Sequence, residues 1–466
     1  MKKLFILILA ILFLGGCTLA PKYTRPDAPV PPEWPAGTAY NKINSSVSVS
    51  TVPNLKWREF ITDTQLQKII EIALNNNRDL RIAALNVERA RAMYGIQRFE
   101  LLPSLNIVGS GSKQLIPSDL SSSGNEKITE QYSVNLGIIS WEIDFFGRIR
   151  NLKDKALEQY LATEQARRSV QILIVSEVAN AYLALAADLE KLKLAQSTLD
   201  NQQSIYGLIH RRYAVGLATE LDLRQAQTLV DAVKVDLAQY TRQVAQDENA
   251  LNLLIGSVVP GNLIPIDLST VVPLKEISPG MSSNVLLSRP DILQAENLLK
   301  AANANIGAAR ATFFPRISLT TTFGTASSEL SGLFKPGSGT WNFASQVILP
   351  IFDARTLPAY KVTKVEKEIM ISQYEKAIQT AFREVADSLS VQGTVKEQLS
   401  AQESLVNALA ETHRLSNARY TKGIDSFLSV LDAQRSLYAA QQGLVALRLL
   451  GLTNLVKLYA VLGGGA

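Results

Sequence analysis

Cys17 is the only cysteine in this chain of 466 residues, and His210 and His413 are its only histidines. Covalent catalysis needs a nucleophile beside a base, and a metal centre needs several ligands at short spacings. Neither histidine has such neighbours, so no enzymatic activity, no cofactor and no metal are expected. With a single thiol, no disulfide can form within the chain. The formal net charge is +5, two units of which belong to Lys2 and Lys3. That excess is too small and too dispersed for a phosphate-binding stripe, which argues against a nucleic-acid partner. The remaining candidates do their chemistry through hydrogen bonds, charge and backbone shape. They gather in two stretches, "RYAVGLATELDLRQAQ" (212–227) and "RYTKGIDSFLSVLDAQ" (419–434).

The two stretches coincide at Arg212/Arg419, Tyr213/Tyr420, Gly216/Gly423, Leu221/Leu428, Ala226/Ala433 and Gln227/Gln434, an offset of 207. The same offset pairs Glu177-Val178-Ala179 with Glu384-Val385-Ala386, and Phe145 with Phe352. Nearer the N-terminus an offset of 212 pairs Asp79/Asp291, Ala83/Ala295, Ala90/Ala302, Gly95/Gly307, Arg98/Arg310 and Pro103/Pro315. The chain is therefore read as two copies of one unit of about 190 residues, in the way internal repeats are recognised. Repeats over 63–255 and 283–466 are joined by a linker at 256–282 that is interrupted by Gly and Pro.

Residues 1–16 read as a secretory signal: Lys2 and Lys3, an apolar run from Leu4 to Leu14, then Gly15-Gly16. The run is too short to span a bilayer. "LGGC" resembles a bacterial lipobox, which implies cleavage before Cys17 and acylation, palmitate included, of the new N-terminus. Several acyl chains hold a protein stably on a membrane. Thr18 follows the cysteine where an aspartate retains many such lipoproteins at the inner membrane, which points to the outer membrane. Over 17–62 the chain reads as a lipid-anchored extended segment, with six prolines between 21 and 35.

Past the signal there is no uncharged apolar run of 18 residues. Membrane spanning then falls to strands, because only helices and closed barrels satisfy their backbone groups in lipid. Two stretches per repeat alternate with period two. Leu105 and Ile107, then Tyr132, Val134, Leu136 and Ile138, lie in the pair at about 103–146. Ile317, Leu319, Thr321 and Phe323, then Trp341, Phe343, Val347 and Leu349, lie in the pair at about 315–352. Polar linkers, "LIPSDLSSSGNEKITEQ" and "ASSELSGLFKPGSG", separate the members of each pair. Four strands cannot close a barrel, since about eight are the practical minimum, so either the strands lie outside a membrane or several chains share one barrel, and the second is the reading taken. The remainder reads as helix: one continuous segment at 63–99, limbs from about 151 to 210 and 358 to 418, returns ending near 255 and 462, and a helix from about 283 to 310. A limb without proline from 151 to 210 could reach roughly 90 Å. Long antiparallel helices with apolar spacings of three and four pack sideways, as in a coiled coil. The Tyr-x-x-Gly turns are then the tips of two hairpins, each reversing at a glycine able to take positive φ.

Cys17, the proline strap, the two strand pairs, both tip stretches and the terminal "VKLYAVLGGG" together resemble the outer membrane factor family, in its TolC/OprM-like lipoprotein branch. The resemblance covers essentially the whole mature chain. It implies a homotrimer with a 12-stranded transmembrane β-barrel, four strands per chain, continued by a long α-helical barrel across the periplasm. It implies a passive exit duct for small molecules such as drugs, hence multidrug resistance, in a tripartite system with a periplasmic adaptor and an inner-membrane transporter. A protein-secretion exit and a lipid-anchored coiled-coil scaffold without a pore are the alternatives. The resemblance places adaptor docking at Val215, Gly216, Leu217, Lys422, Gly423 and Ile424. It places the periplasmic gate on Leu428 and Asp432, which are four apart on one helix face, with Tyr420 expected to hydrogen-bond Asp222 as a lock. Ser429 and Asp425 stand where some relatives carry an aspartate and an arginine. Three Asp432 carboxylates about 6 Å apart would repel by on the order of 3 kcal/mol per pair at an effective dielectric near 20, so the ring is expected to favour cations.

Overall fold

The computed structural model describes residues 18–40, 55–272, 274, 275, 277 and 282–464. The expected signal segment and the expected acylation site, Cys17, lie outside them. The elements are α1 (Trp57–Phe60), α2 (Thr64–Asn76), α3 (Arg78–Phe99), β1 (Asn106–Ile116), β2 (Lys127–Ile143), α4 (Arg148–Ala214), α5 (Glu220–Ile255), α6 (Pro290–Ala311), β3 (Arg316–Ser327), β4 (Gly339–Ile348), α7 (Thr356–Thr421) and α8 (Phe427–Val461). They form two compact units, 1–27 with 86–164 and 294–374, and 28–85 with 165–293 and 375–466. Each unit draws matching segments from both repeats, so repetition in sequence is interleaved in space.

In the first unit the four strands make one antiparallel sheet in the order β1-β2-β3-β4. Strand and loop differ slightly from the sequence pattern: β1 runs on to Ile116 and β2 starts at Lys127, inside the expected linker, where Lys113 pairs with Glu130 across the ladder. A bulge separates Ile138 from Trp141, and the Trp141 indole donates to the Leu101 carbonyl at 3.2 Å. Below it Glu142 is gripped by both Arg148, through two bonds of 2.8 Å, and Arg316 at 2.5 Å. Asp144 accepts from the Ile149 and Arg150 amides and so caps α4. The start of the proline-rich strap lies on this unit in extended form. Its Leu19 and Pro21 carbonyls accept from Arg310 and Asn303, and Arg25 bonds Glu296 at 2.7 Å and the Tyr374 hydroxyl at 3.1 Å. Gly307 lets the strap in, because a Cβ there would lie 2.7 Å from the Ala20 nitrogen.

In the second unit the expected single helix at 63–99 is two. Asn77 adopts an extended backbone (φ −60°, ψ 131°). Its side-chain oxygen accepts from the Asp79 and Leu80 amides, capping α3, while its Nδ2 donates to the Leu254 carbonyl. The helix expected from about 283 also starts later. Pro290 has no N–H and disfavours helix in the residue before it, so 283–288 forms a 3-10 turn and the α-helix begins at the proline. Leu66, Ile69, Ile70 and Ala73 of α2 are fully buried, as are Phe60 and Leu458, and the Phe60 and Tyr459 rings stack at 4.3 Å. Burying each such side chain contributes about 1.5–3 kcal/mol. By length and composition, α4 and α8 each hold a stretch apolar enough to cross a membrane. In α4 that stretch is packed in protein, with Val178, Leu183 and Leu185 among its buried residues.

Candidate functional site

Two hairpin tips have the same backbone. At the first, the Gly216 amide donates to the Tyr213 carbonyl (3.0 Å) and the Leu217 amide to the Arg212 carbonyl (2.8 Å). At the second, Gly423 donates to Tyr420 (2.9 Å) and Ile424 to Arg419 (3.0 Å). These paired bonds form a Schellman turn, which places a left-handed residue just past the helix end. Gly216 has φ +77° and Gly423 φ +73°. Nothing lies within 4 Å of a Cβ built on either, so backbone conformation, not crowding, demands glycine here. Val215, Leu217 and Ile424 project as exposed apolar side chains, 69%, 69% and 59% accessible. Lys422 between them is exposed as well.

The re-entry into the second arm differs between tips. Thr219 and Asp222 form a capping box: Thr219 Oγ1 accepts from the Asp222 amide at 3.1 Å and Asp222 Oδ2 accepts from the Thr219 amide at 3.0 Å. The equivalent positions are Ser426 and Ser429, where no side-chain cap forms. There Arg419 reaches Asp425 instead, by bonds of 2.5 and 3.0 Å. The guanidinium holds the Asp425 carboxyl below the usual carboxylate range.

The expected contact of Tyr420 with Asp222 is not the one made within the chain. Asp222 is committed to its own helix start, and among the described residues no hydrogen bond joins it to Tyr420. The Tyr420 hydroxyl accepts from Arg212 Nη1 at 2.9 Å, and the Arg212 guanidinium lies 5.3 Å from the Tyr420 ring centroid. Behind this contact an apolar cluster of Ile209, Leu223, Ala226, Leu229, Phe427, Val430 and Leu431 joins the two hairpins. Arg212 and Arg419 stand out in sequence as repeated residues, yet no role follows from repetition alone. Thr219-x-x-Asp222 carries a capping spacing that is readable in sequence.

On α8 the cluster takes Phe427, Val430 and Leu431, which leaves Leu428 and Asp432 together on the exposed face. Arg435 sits one turn on from Asp432, with an N···O distance of 3.9 Å between exposed side chains. Such a pair is worth little in water, but it partly offsets the acidic charge on that face.

The sheet is the other candidate part. Its register aligns Ile107, Leu136, Phe323 and Trp341 in one row across all four strands, and Asn106, Gly137, Thr322 and Asn342 in the next row on the opposite face. A second polar-face row joins Ser110 to Ser133, whose hydroxyls are 2.8 Å apart. The members of the apolar row are between 46% and 76% exposed. Gly137 and Gly324 have no side chain because a Cβ on either would strike the neighbouring strand's backbone. The outer edges of β1 and β4 are unpaired among the described residues.

The outer membrane efflux protein family profile matches residues 69–257 and 281–464, one segment in each repeat. The antibiotic efflux pump outer membrane protein ArpC and the toluene efflux pump outer membrane protein TtgC, both of Pseudomonas putida, are each 48% identical over all of this chain and 96% of theirs. A solved structure of the open state of the MtrE outer membrane channel of Neisseria gonorrhoeae superposes with a TM-score of 0.86 at 37% identity, over 96% of this chain and 98% of that one. The chain belongs to the outer membrane efflux protein family. Its fold is that of the family's channels, mostly helical with four barrel strands per chain.

Proposed function

We propose that three copies of this chain form the outer-membrane exit duct of a tripartite efflux system, coupled through a periplasmic adaptor to an inner-membrane transporter. The observation that carries this reading is the four-stranded sheet with one apolar face, one polar face and two open edges. Open edges are not tolerated in lipid, and an apolar-out, polar-in alternation is the pattern of a transmembrane barrel. Joining β4 of one copy to β1 of the next closes twelve strands around a polar lumen in the outer membrane of a Gram-negative bacterium.

ArpC is named for antibiotics and TtgC for toluene, which favours small, largely apolar cargo over folded protein. The exposed Val215, Leu217, Lys422 and Ile424 at the tips form the adaptor-docking surface, and Leu428 with Asp432 forms the periplasmic gate. Arg212 with Tyr420 holds that gate. Conductance across a planar bilayer by the purified protein, together with loss of drug and solvent tolerance when its gene is deleted, tests the reading. A non-conducting protein whose deletion leaves tolerance unchanged overturns it.

A further inference from the structure

The polar face of the sheet ends in a charge that the exit-duct reading leaves unused. In steps of two along β3 from Thr322, that face carries Thr320, Ser318 and Arg316, opposite Ala344, Gln346 and Ile348 of β4. On β2 it runs in the same steps from Lys127 to Gly137, opposite Ile116 to Asn106 of β1. The bulge then changes the facing of β2. Three steps on β2, from Ile138 to Trp141, span two on β3, from Thr321 to Leu319, so Glu142 opposes Ser318 on the polar face. Without the extra residue Trp141 would stand opposite Ser318, and the indole rather than the carboxylate would face the polar side. The strand residues of that face are therefore uncharged except Lys127 at the loop end and Glu142 with Arg316 at the helix end.

At the helix end two guanidinium groups share one carboxylate. Arg148 donates to both Glu142 oxygens at 2.8 Å, and Arg316 Nε lies 2.5 Å from Oε2. The Glu142 side chain is 10% exposed and that of Arg148 29%, whereas that of Arg316 is 62% exposed. The bidentate pair is thus self-contained, and Arg316 brings the surplus positive charge to the water side. Among the described residues Arg316 has no other ion pair. Off the strands, Asp144 pairs with Arg150 and Asp353 with Arg355, while Glu100 accepts from Gln97.

We propose that Arg316 is a selectivity residue of the duct, forming in three copies a positive collar at the helix-side mouth of the barrel that favours small anions and the anionic groups of cargo over cations. The inference rests on the exit-duct reading, which turns the polar face to the lumen. Rings of Arg or Lys select anions in pores, and a ring set in an otherwise uncharged wall fixes the local potential there. Its sign is opposite to that of Asp432, so cargo meets two filters of opposite charge.

Reversal potentials of single channels of the full chain in a salt gradient test this, with Asp432→Ala as the background so that the acidic face proposed for the gate does not set the potential. Arg316→Gln should raise the cation-to-anion permeability ratio about twofold or more. Arg316→Lys keeps the charge and should leave the ratio at its background value. Glu142→Gln frees the second guanidinium and should lower the ratio. If one of the two Gln variants does not assemble, the other carries the comparison. An assembled Gln variant with an unmoved ratio or a shift of the opposite sign, or an Arg316→Lys channel that behaves like Arg316→Gln, overturns the collar while leaving the duct in place. A background protein that does not conduct at all overturns the duct reading, and the collar with it.

Discussion

Within the chain Arg212, not Asp222, meets the Tyr420 hydroxyl, so the lock proposed here rests on a cation stacked on a ring. A hydrogen bond with a cation–π contact is worth about 1–2 kcal/mol at a half-exposed site. Arg212→Ala removes both and should raise the resting conductance of single channels severalfold. Tyr420→Phe keeps the ring beneath the guanidinium and should raise it less. Asp222→Ala loses only a helix cap, about 1 kcal/mol of local stability, and should conduct like wild type; the same rise in all three would place the lock elsewhere. At the neighbouring face, Asp432→Ala should lower cation selectivity and Arg435→Ala should increase it, because the two side chains oppose each other. Reversal potentials in a salt gradient check both signs, and unchanged potentials would remove Asp432 from the gate. Leu428 and Asp432 were readable from sequence only as a shared helix face, and their part in a gate is a proposal. Their partners were not, because which of several repeated polar residues meet is decided by how two hairpins separated by about 200 positions pack.

The turns show which elements a sequence declares and which it hides. Both long limbs and both tips were legible, since the limbs lack breakers and the glycines recur in register. The break at Asn77 was not, because "LNNNRDL" offers several asparagines and only the Leu254 carbonyl selects one of them. Nor did the alternation in β2 reveal its full length, as Lys127, Thr129 and Gln131 are polar residues that pair in the ladder. The tips also allow backbone shape to be separated from docking. Gly216→Val or Gly423→Val forces a β-branched residue into the left-handed region, at a cost of about 1–2 kcal/mol. Gly216→Asn or Gly423→Asn tolerates that conformation and adds a side chain into open space. If the tips dock an adaptor, the Asn variants should abolish drug tolerance while the trimer keeps the melting behaviour of wild type on gels. Full tolerance in the Asn variants with a heat-labile trimer in the Val variants would leave the glycines a purely structural role.

At the scale of the whole molecule, the acyl anchor expected at Cys17 and the proposed barrel would be two independent ways of holding the duct in the membrane. Cys17→Ser should abolish labelled palmitate incorporation, since the thioether needs the sulfur, while the barrel preserves part of the transport; label that persists would refute acylation at Cys17. The barrel makes a sharper demand, because adjacent residues on one strand must face lipid and water. Phe323 lies in the apolar row with Ile107, Leu136 and Trp341, and Thr322 lies in the polar row with Asn106 and Asn342. A lysine on the lipid face near the midplane costs about 2–4 kcal/mol per chain, and three chains bear it at once in a trimer. Phe323→Lys should therefore deplete the protein from the outer membrane. Thr322→Lys places the same charge in the water-filled lumen, so the trimer should persist, and its selectivity should move toward anions through a ring of three ammonium groups. The two variants carry the same net charge, with the added lysine on adjacent residues of one strand, so the comparison reads which way the strand faces. Equal losses of membrane-assembled protein would mean that the sheet does not span the membrane with its apolar row outward.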